Sequence, residues 1–445
     1  MKTGCRESIY LDANKLTLLA VCFITVIGLF IRIKYVEQTE IYNPIRADAA
    51  QYVTYGYNLY SHGIFSKELS PSPSPDSYRS PGYPLLIALS FMLGGKHFYP
   101  VVIYLQIMLS VLSVPLTFLI GTRFLSRSWA IFAAIFVAIS PHLVSMTSYL
   151  LTETTFSFVL LLAGYLFILS LEKKHLFYFV LAGLIFGLAY LVNETAFFLP
   201  FLLAAFAIVT NKKENIAKKI LINLSVYLII FLLFPATWTW RNHNLSSEAA
   251  QGSSRAISTM SHGAYPDFIY KDKKFQYFPY REDPMQTLFG STFENFSKIL
   301  FERFKERPFR YISWYVFEKP YYLWSWNILQ GQGDIYVYPV KSSLYTTNNI
   351  ANVLRIFMKI LHPFIVLAAF IGIIVFLYGK NMEKHVFLPF VIIVYYTALY
   401  TVFAPWPRYS VPLRPELYLF AIWTCSTLLR SRSGTVDKKH IDIQE

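Results

Sequence analysis

Two carboxylates and a scattered set of arginines, each beside an apolar run, are the side chains best suited to chemistry in this sequence. Asp48 stands in Arg46-Ala47-Asp48-Ala49-Ala50-Gln51-Tyr52, ahead of a segment that reads as a short helix ending near His62-Gly63. A carboxylate there can take the proton of an attacking hydroxyl, or it can cap the helix through free backbone N–H groups. Glu153, in Tyr149-Leu150-Leu151-Thr152-Glu153-Thr154-Thr155, interrupts roughly 40 otherwise apolar or neutral residues, a setting in which an acid needs a polar cavity. Its alternatives are again a functional acid and a capping acid.

The cations follow the same pattern. Arg79 heads the turn Arg79-Ser80-Pro81-Gly82-Tyr83-Pro84, whose prolines fix the start of an apolar run; the arginine suits a phosphate, or simply the membrane interface. Pro405-Trp406-Pro407-Arg408-Tyr409 is followed by Pro412, Arg414, Pro415 and Glu416. Arginine matches phosphate oxygens with two parallel bonds, while the competing reading is an internal Arg414–Glu416 salt bridge. Trp238-Thr239-Trp240-Arg241-Asn242 closes another apolar run, with an aromatic belt that accounts for the tryptophans and leaves Arg241 as a weaker cation. Asn193-Glu194 falls at a turn, and Ser261-His262-Gly263-Ala264-Tyr265-Pro266-Asp267 reads as an acceptor-side or lid loop in which His262 is either a substrate contact or a surface residue. A base for a hydroxyl and cations for a departing anion are the requirements of group transfer from a phosphate-activated donor.

The elements that position these residues are membrane spans. Of 445 residues 55% are hydrophobic and only 15% charged, with a mean hydropathy of +0.42, which excludes ordinary soluble composition. Charge-free or nearly charge-free runs at about 16–31, 98–122, 128–152, 154–171, 176–193, 195–210, 220–240, 357–378, 386–407 and 409–429 predict an all-α integral membrane protein of about ten transmembrane helices. With a cytoplasmic N-terminus, the inner loops carry Arg123 and Arg127; Lys173 and Lys174; Lys212, Lys213, Lys218 and Lys219; Lys380 and Lys384; and Arg430, Arg432, Lys438 and Lys439. The short outer loops offer only Arg408, so the positive-inside rule puts both termini in the cytoplasm. The net charge of +14 belongs to this loop asymmetry, and no basic stripe for nucleic acid exists. Cys5, Cys22 and Cys425 form no disulfide or metal spacing.

Two segments on the outer side are long. The first, 34–97, contains Tyr83–Leu93, which is short for a span and reads as interfacial or re-entrant. In the second, 241–352, the stretch Phe296–Trp326 interleaves Lys298, Arg303, Lys305, Arg307 and Arg310 with aromatic residues, a composition suited to the headgroup layer. The division expected is therefore a transmembrane module 1–240 that includes the first loop, an exoplasmic or interfacial segment 241–352, and terminal helices with a cytoplasmic tail, 353–445.

In order, Asp48, the Arg79–Pro84 stretch, Glu153, Trp240-Arg241-Asn242 and Arg408-Tyr409 with Pro412 and Pro415 resemble the markers of GT-C polytopic glycosyltransferases, especially protein O-mannosyltransferases and the lipid A aminoarabinose transferase. The resemblance spans most of the chain. It implies a hexosyl- or pentosyltransferase that draws on a polyprenyl-phosphate sugar at the exoplasmic face of a plasma membrane, the inner membrane in a bacterium. Glycan, glycolipid or protein acceptors are implied, with membrane lipids as surroundings. Asp48 and Glu153 would be catalytic, and Arg79, Tyr83, Arg241, His262, Arg408, Tyr409 and Arg414 would bind substrate. Two departures stand out: Ala49 follows Asp48 where many relatives carry an Asp-Glu pair, and Asn193-Glu194 stands where relatives often have an arginine. Relatives differ in using a divalent metal, and the sequence holds no ligand cluster that decides it. The rival readings are a lipid-linked oligosaccharide polymerase or ligase, a lipid or glycan transporter, and a non-catalytic scaffold.

Overall fold

A computed structural model describes residues 2–210, 217–245, 252–271, 279–329, 331–379 and 385–432. Lys212, Lys213, Lys380, Lys384, Lys438 and Lys439 of the expected inner loops lie outside these residues. The chain opens with α1 (Lys2–Gln38) and a short strand β1 (Glu40–Ile41), then α2 (Ala47–His62), α3 (Gly82–Gly94), α4 (Phe98–Gly121), α5 (Arg127–Ile139) and α6 (Pro141–Met146). Next come α7 (Thr152–Lys173), α8 (Leu176–Val192), α9 (Leu199–Thr210) and α10 (Ala217–His243). The second long segment holds α11 (Gly252–Gly263), α12 (Gln286–Phe289), α13 (Phe293–Glu306), α14 (Pro308–Ser313), α15 (Lys319–Leu323), β2 (Val340–Ser342) and α16 (Leu344–Thr347). The chain then enters α17 (Asn349–Tyr378), α18 (Phe387–Val402) and α19 (Arg414–Arg432). β1 and β2 pair antiparallel and tie the two long segments together.

Among the described residues, five helical stretches are long and apolar enough to cross a membrane: Lys15–Gln38, Gly82–Gly121, Thr152–Lys173, Lys218–His243 and Asn349–Tyr378. Four further apolar helices are shorter, among them Arg127–Ile139 and Phe387–Val402. The expectation of ten full-length spans is therefore met only as a multi-pass helical bundle. The expected third run, 128–152, shows why. Pro141 lacks an N–H and disfavours helix at the residue before it, so α5 stops at Ile139. Thirteen residues of helix rise only about 20 Å, short of the roughly 30 Å hydrocarbon core. The exposed carbonyls at the end of α5 are answered by Arg32 of α1, whose guanidinium donates to Val137 O at 3.1 Å and Ala138 O at 2.9 Å. The run Tyr83–Leu93 forms α3, which ends at Gly95 (φ +53°) and, after the turn Gly95–His97, lies back along α4, so that the Tyr83 hydroxyl reaches Gln106.

The helix ends sort into two sets. Arg123, at the end of α4, pairs with Glu172 near the end of α7 at 2.8 Å, and His385 ahead of α18 lies 3.2 Å from the same glutamate. At the opposite ends of these helices stand Glu153, Asn193 and the 403–413 loop, beside α2 and the Arg79 turn. Over this end sits the second long segment, built round an aromatic core of Tyr265, Phe268, Tyr280, Phe289, Phe296, Trp314 and Trp406. Phe268 stacks on Trp406 at 4.0 Å, which fastens this roof to the loop that carries Arg408. Gly263 ends α11 where a side chain would strike Phe403 O at 2.5 Å, so the roof helix and this loop touch backbone to backbone. On the outside, α13 to α15 leave Phe301, Phe309, Phe317 and Tyr321 exposed near Lys298, Lys305 and Arg307.

Candidate active site

Asp48 is the second residue of α2, where the helix dipole favours an anion. The residue before it, Ala47, has φ +47°, a left-handed conformation that costs an L residue about 1–2 kcal/mol and marks local strain at the site. Tyr338 pins this turn: its hydroxyl donates to Arg46 O at 3.1 Å and accepts from Ala49 N–H at 3.4 Å. The Asp48 carboxylate caps no backbone. Arg79 donates to its Oδ1 at 2.6 Å and Arg408 to its Oδ2 at 3.0 Å. Burial would raise the Asp48 pKa, but the charges of Arg408 and Arg79 and the hydrogen bonds from both outweigh it and hold the acid well below the usual carboxylate range.

Arg408 lies in the 3₁₀ stretch Pro407–Leu413 between α18 and α19. Its Nε is 2.9 Å from Glu153 Oε1, an ion pair whose N–H is not aligned for a hydrogen bond. One arginine thus sits between two acids that are 105 positions apart in sequence, 48 and 153. Glu153, like Asp48, is the second residue of its helix, α7, and its side chain is only 7% exposed. Arg79 is held in place by Gln51, which accepts from its Nε at 2.8 Å, and lies over the Tyr52 ring at 4.9 Å. Gly82 lets this turn come close to α8, because a side chain there would meet the backbone of Leu191 and Val192 at 2.7 Å.

These groups line one cavity of about 610 Å³, within the range of small-molecule sites. Val192, Phe197, Phe198, Leu399 and Phe403 give it an apolar wall. The other wall carries Tyr78, Arg255, Thr259, His262 and Arg281, of which three come from α11 at helical spacing. Burial, with the Arg281 charge as a smaller cause, lowers the His262 pKa to about 4, so this histidine is neutral at physiological pH. Tyr409 lines the cavity and stacks on Tyr400 at 5.0 Å. Among the described residues, no three His, Cys, Asp or Glu side chains converge as ligands for a metal ion.

The structure brings Asp48, Arg79, Glu153, His262, Arg408 and Tyr409 together on this cavity and leaves Tyr83, Arg241 and Arg414 off it. Tyr83 is buried, with its hydroxyl on Gln106 Oε1 at 2.9 Å; Gln106 Nε2 in turn holds Thr147 O and Tyr149 O, so the pair steadies the turn ahead of Glu153. Arg241 donates to Asp76 O at 2.5 Å and lies over Trp238 at 5.0 Å. Asp76 itself binds the N–H groups of Lys67 and Tyr78, so Arg241 braces the loop that presents Arg79. Arg414 is fully buried and meets the His362 ring at 3.1 Å and Ser325 O at 3.4 Å. The guanidinium turns toward α17 and the 324–326 segment, and no Arg414–Glu416 bridge is present among the described residues.

Arg255 is the residue that sequence reasoning missed. Its guanidinium pairs with Glu194 and donates to Tyr78 O at 2.6 Å. The cation absent from Asn193-Glu194 is therefore supplied from α11. The spacing of Arg255, Thr259 and His262 on one helix face was the available signal.

Comparison with known proteins agrees with this architecture. Residues 78–240 match the dolichyl-phosphate-mannose-protein mannosyltransferase family. No curated protein sequence matches the chain. Among solved structures, the apo oligosaccharyltransferase of Archaeoglobus fulgidus aligns over 94% of this chain and 52% of its own at 13% identity, with a TM-score of 0.51. ArnT from Cupriavidus metallidurans in the apo state aligns over 95% of this chain and 62% of its own at 11% identity, with a TM-score of 0.49. This chain thus spans about half the length of the oligosaccharyltransferase whose fold it shares. The resemblance of the sequence to GT-C glycosyltransferases is carried by the family match and by the shared fold.

Proposed function

We propose that this chain, whose residues 78–240 match that mannosyltransferase family, transfers a sugar from a polyprenyl-phosphate carrier to an acceptor hydroxyl at the exoplasmic face of the membrane. The observation that carries the reading is Arg408 set between Asp48 and Glu153 in a cavity that also holds Arg79. The acceptor oxygen attacks the anomeric carbon and gives its proton to Asp48, with Glu153 as the alternative acceptor. The bond from that carbon to the carrier phosphate breaks, and its electron pair leaves on the phosphate, whose charge Arg79 and Arg408 meet. One displacement with base and leaving group on opposite sides inverts the anomeric centre. The apolar wall suits the first carbons of a polyprenyl chain, and the polar α11 wall suits the acceptor, be it glycolipid, polysaccharide or protein.

Initial rates with purified protein, a panel of synthetic polyprenyl-phosphate hexoses and pentoses, and envelope extracts as acceptors test this reading. Product with an inverted linkage is expected from one donor, and the absence of turnover with every monophosphate donor sinks it. A parallel arm with pyrophosphate-linked donors addresses the polymerase or ligase reading, which the additional cations Arg255 and Arg281 on the cavity favour. Sidedness has its own test. In a cysteine-free background, Thr259→Cys is expected to react with an impermeant thiol reagent in intact cells, and Lys218→Cys only after permeabilisation. The opposite pattern would place the cavity in the cytoplasm.

A further inference from the structure

A second, small cavity shares Glu153 with the large one. It measures about 10 Å³, room for a single water molecule. Ser110 and Ser113 of α4 and Thr154 and Ser157 of α7 bring hydroxyls to it, and Leu143, Met146 and Val411 close it with carbon.

The hydrogen-bond inventory of these hydroxyls has a direction. Ser113 donates to Leu109 O at 3.2 Å and Ser157 to Pro412 O at 2.7 Å, so both offer the cavity only lone pairs. Ser110 Oγ accepts from Arg32 Nε at 2.8 Å, which leaves its hydrogen to give. The Thr154 hydroxyl is buried and has no partner among the described residues. A water molecule placed in this space would accept from Ser110 and Thr154 and donate to Glu153 and one serine oxygen, which would satisfy all four of its bonds. Arg32 is fully buried, and its other contacts are the carbonyls of Gly28, Val137 and Ala138, with no carboxylate among them.

We propose that this cavity is a water site that couples the buried Arg32 cation to Glu153, with Arg32 donating to Ser110, Ser110 to the water, and the water to the carboxylate. Ser110 and Thr154 are then positioning residues for Glu153. The inference rests on the transferase reading of that acid. A buried carboxylate needs donors beyond a single ion pair to stay charged, and Arg408 approaches only one Glu153 oxygen within ion-pair distance. The Thr152 hydroxyl reaches the other oxygen, Oε2, only at 3.5 Å, and the titratable groups facing Glu153 are Asp48 and the phenols of Tyr52, Tyr83, Tyr338, Tyr400 and Tyr409. The phenols stay neutral between pH 5 and about 9.

The test uses purified full-length Ser110→Ala and Thr154→Val with the polyprenyl-phosphate sugar that the wild type accepts. Glu153 must stay charged to hold Arg408 whichever acid takes the proton, so each variant is expected to move the acid limb of the kcat profile to higher pH by about 0.5–1 unit. On that limb, turnover falls about 3- to 10-fold, with KM for the donor little changed. Thermal melts supply a second readout, free of activity. Replacing an unpartnered buried hydroxyl by a methyl group leaves stability unchanged or raises it, whereas removing a water ligand lowers it. A lower Tm for Thr154→Val is expected. An unchanged or higher Tm overturns the water site. A lower Tm with an unmoved pH profile keeps the water and overturns its coupling to Glu153. If the wild type transfers no sugar, the transferase reading fails, and the melt still decides the site.

Discussion

Asp48→Asn is expected to lower turnover by about 10²- to 10⁴-fold while the protein folds and binds its donor. Asparagine keeps the size of the side chain, and its oxygen still accepts from one of the two arginines. The Asp48 side chain is 31% exposed, so the ion pairs lost with its charge are partly screened and the melting temperature should shift by only a few degrees. A helix cap would have predicted a small change in stability and almost none in rate, since asparagine caps as well as aspartate, and the carboxylate makes no capping bond. The companion variant Glu153→Gln separates the two acids. Should it be dead while Asp48→Asn stays near wild type, the base is Glu153 and Asp48 only holds the arginines.

The same geometry predicts how pH enters. Asp48 is depressed below the usual carboxylate range, so whatever stability it contributes is fully present above about pH 4, its unfolded value, and is lost only as pH falls toward the lower folded value. Between pH 5 and 8 its titration should leave the melt unchanged. A carboxylate gripped by two guanidinium groups is a weak proton acceptor, but a phosphate arriving at Arg79 and Arg408 competes for their N–H groups and frees it. The acid limb of kcat, which reports the donor-bound enzyme, should therefore lie above the free enzyme's Asp48 titration.

What the sequence disclosed and what it hid have one physical origin. Arg79, Glu153 and Arg408 each stand at the end of an apolar run and Asp48 in the loop after the first one, and a charge at the end of such a run must face a polar cavity or another charge. Counting helix ends then brings all four to one side, where the structure has them. Arg241 and Arg414 obey the same rule but lie off this cavity. A guanidinium withdrawn from solvent serves a set of backbone carbonyls as well as it serves a phosphate, and these two, Arg241 partly and Arg414 fully buried, turn to Asp76 O and Ser325 O. Arg32 was visible only as the flank of the first apolar run, although it reaches α5 across more than a hundred positions. Arg255 was hidden because its partners, Glu194 and Tyr78, are 61 and 177 positions away and no apolar run frames it. Span lengths were overestimated wherever hydropathy ran on past a helix break, as at Ser140-Pro141.

Arg408 should tolerate no substitution, and the two variants should fail differently. Arg408→Ala leaves Glu153, whose side chain is 7% exposed, as a buried charge without its partner, a loss worth about 3–5 kcal/mol when one member of a buried pair is removed. Its melting temperature should therefore fall sharply, and any loss of rate is hard to interpret alone. Arg408→Lys is the decisive variant. Lysine keeps the charge and folds, but a single ammonium cannot reproduce a planar fork that sends Nη2 to Asp48 and Nε toward Glu153 from a position beside the Tyr409 ring. Turnover of Arg408→Lys should fall about 10²- to 10³-fold, the effect of losing one donor aimed at developing charge. Donor affinity, read by binding of the polyprenyl phosphate alone in nanodiscs, should weaken by a smaller factor, since Arg79 remains. Wild-type turnover in Arg408→Lys would show that the site needs only a positive charge there, and the assignment of Arg408 to the leaving phosphate would have to be given up.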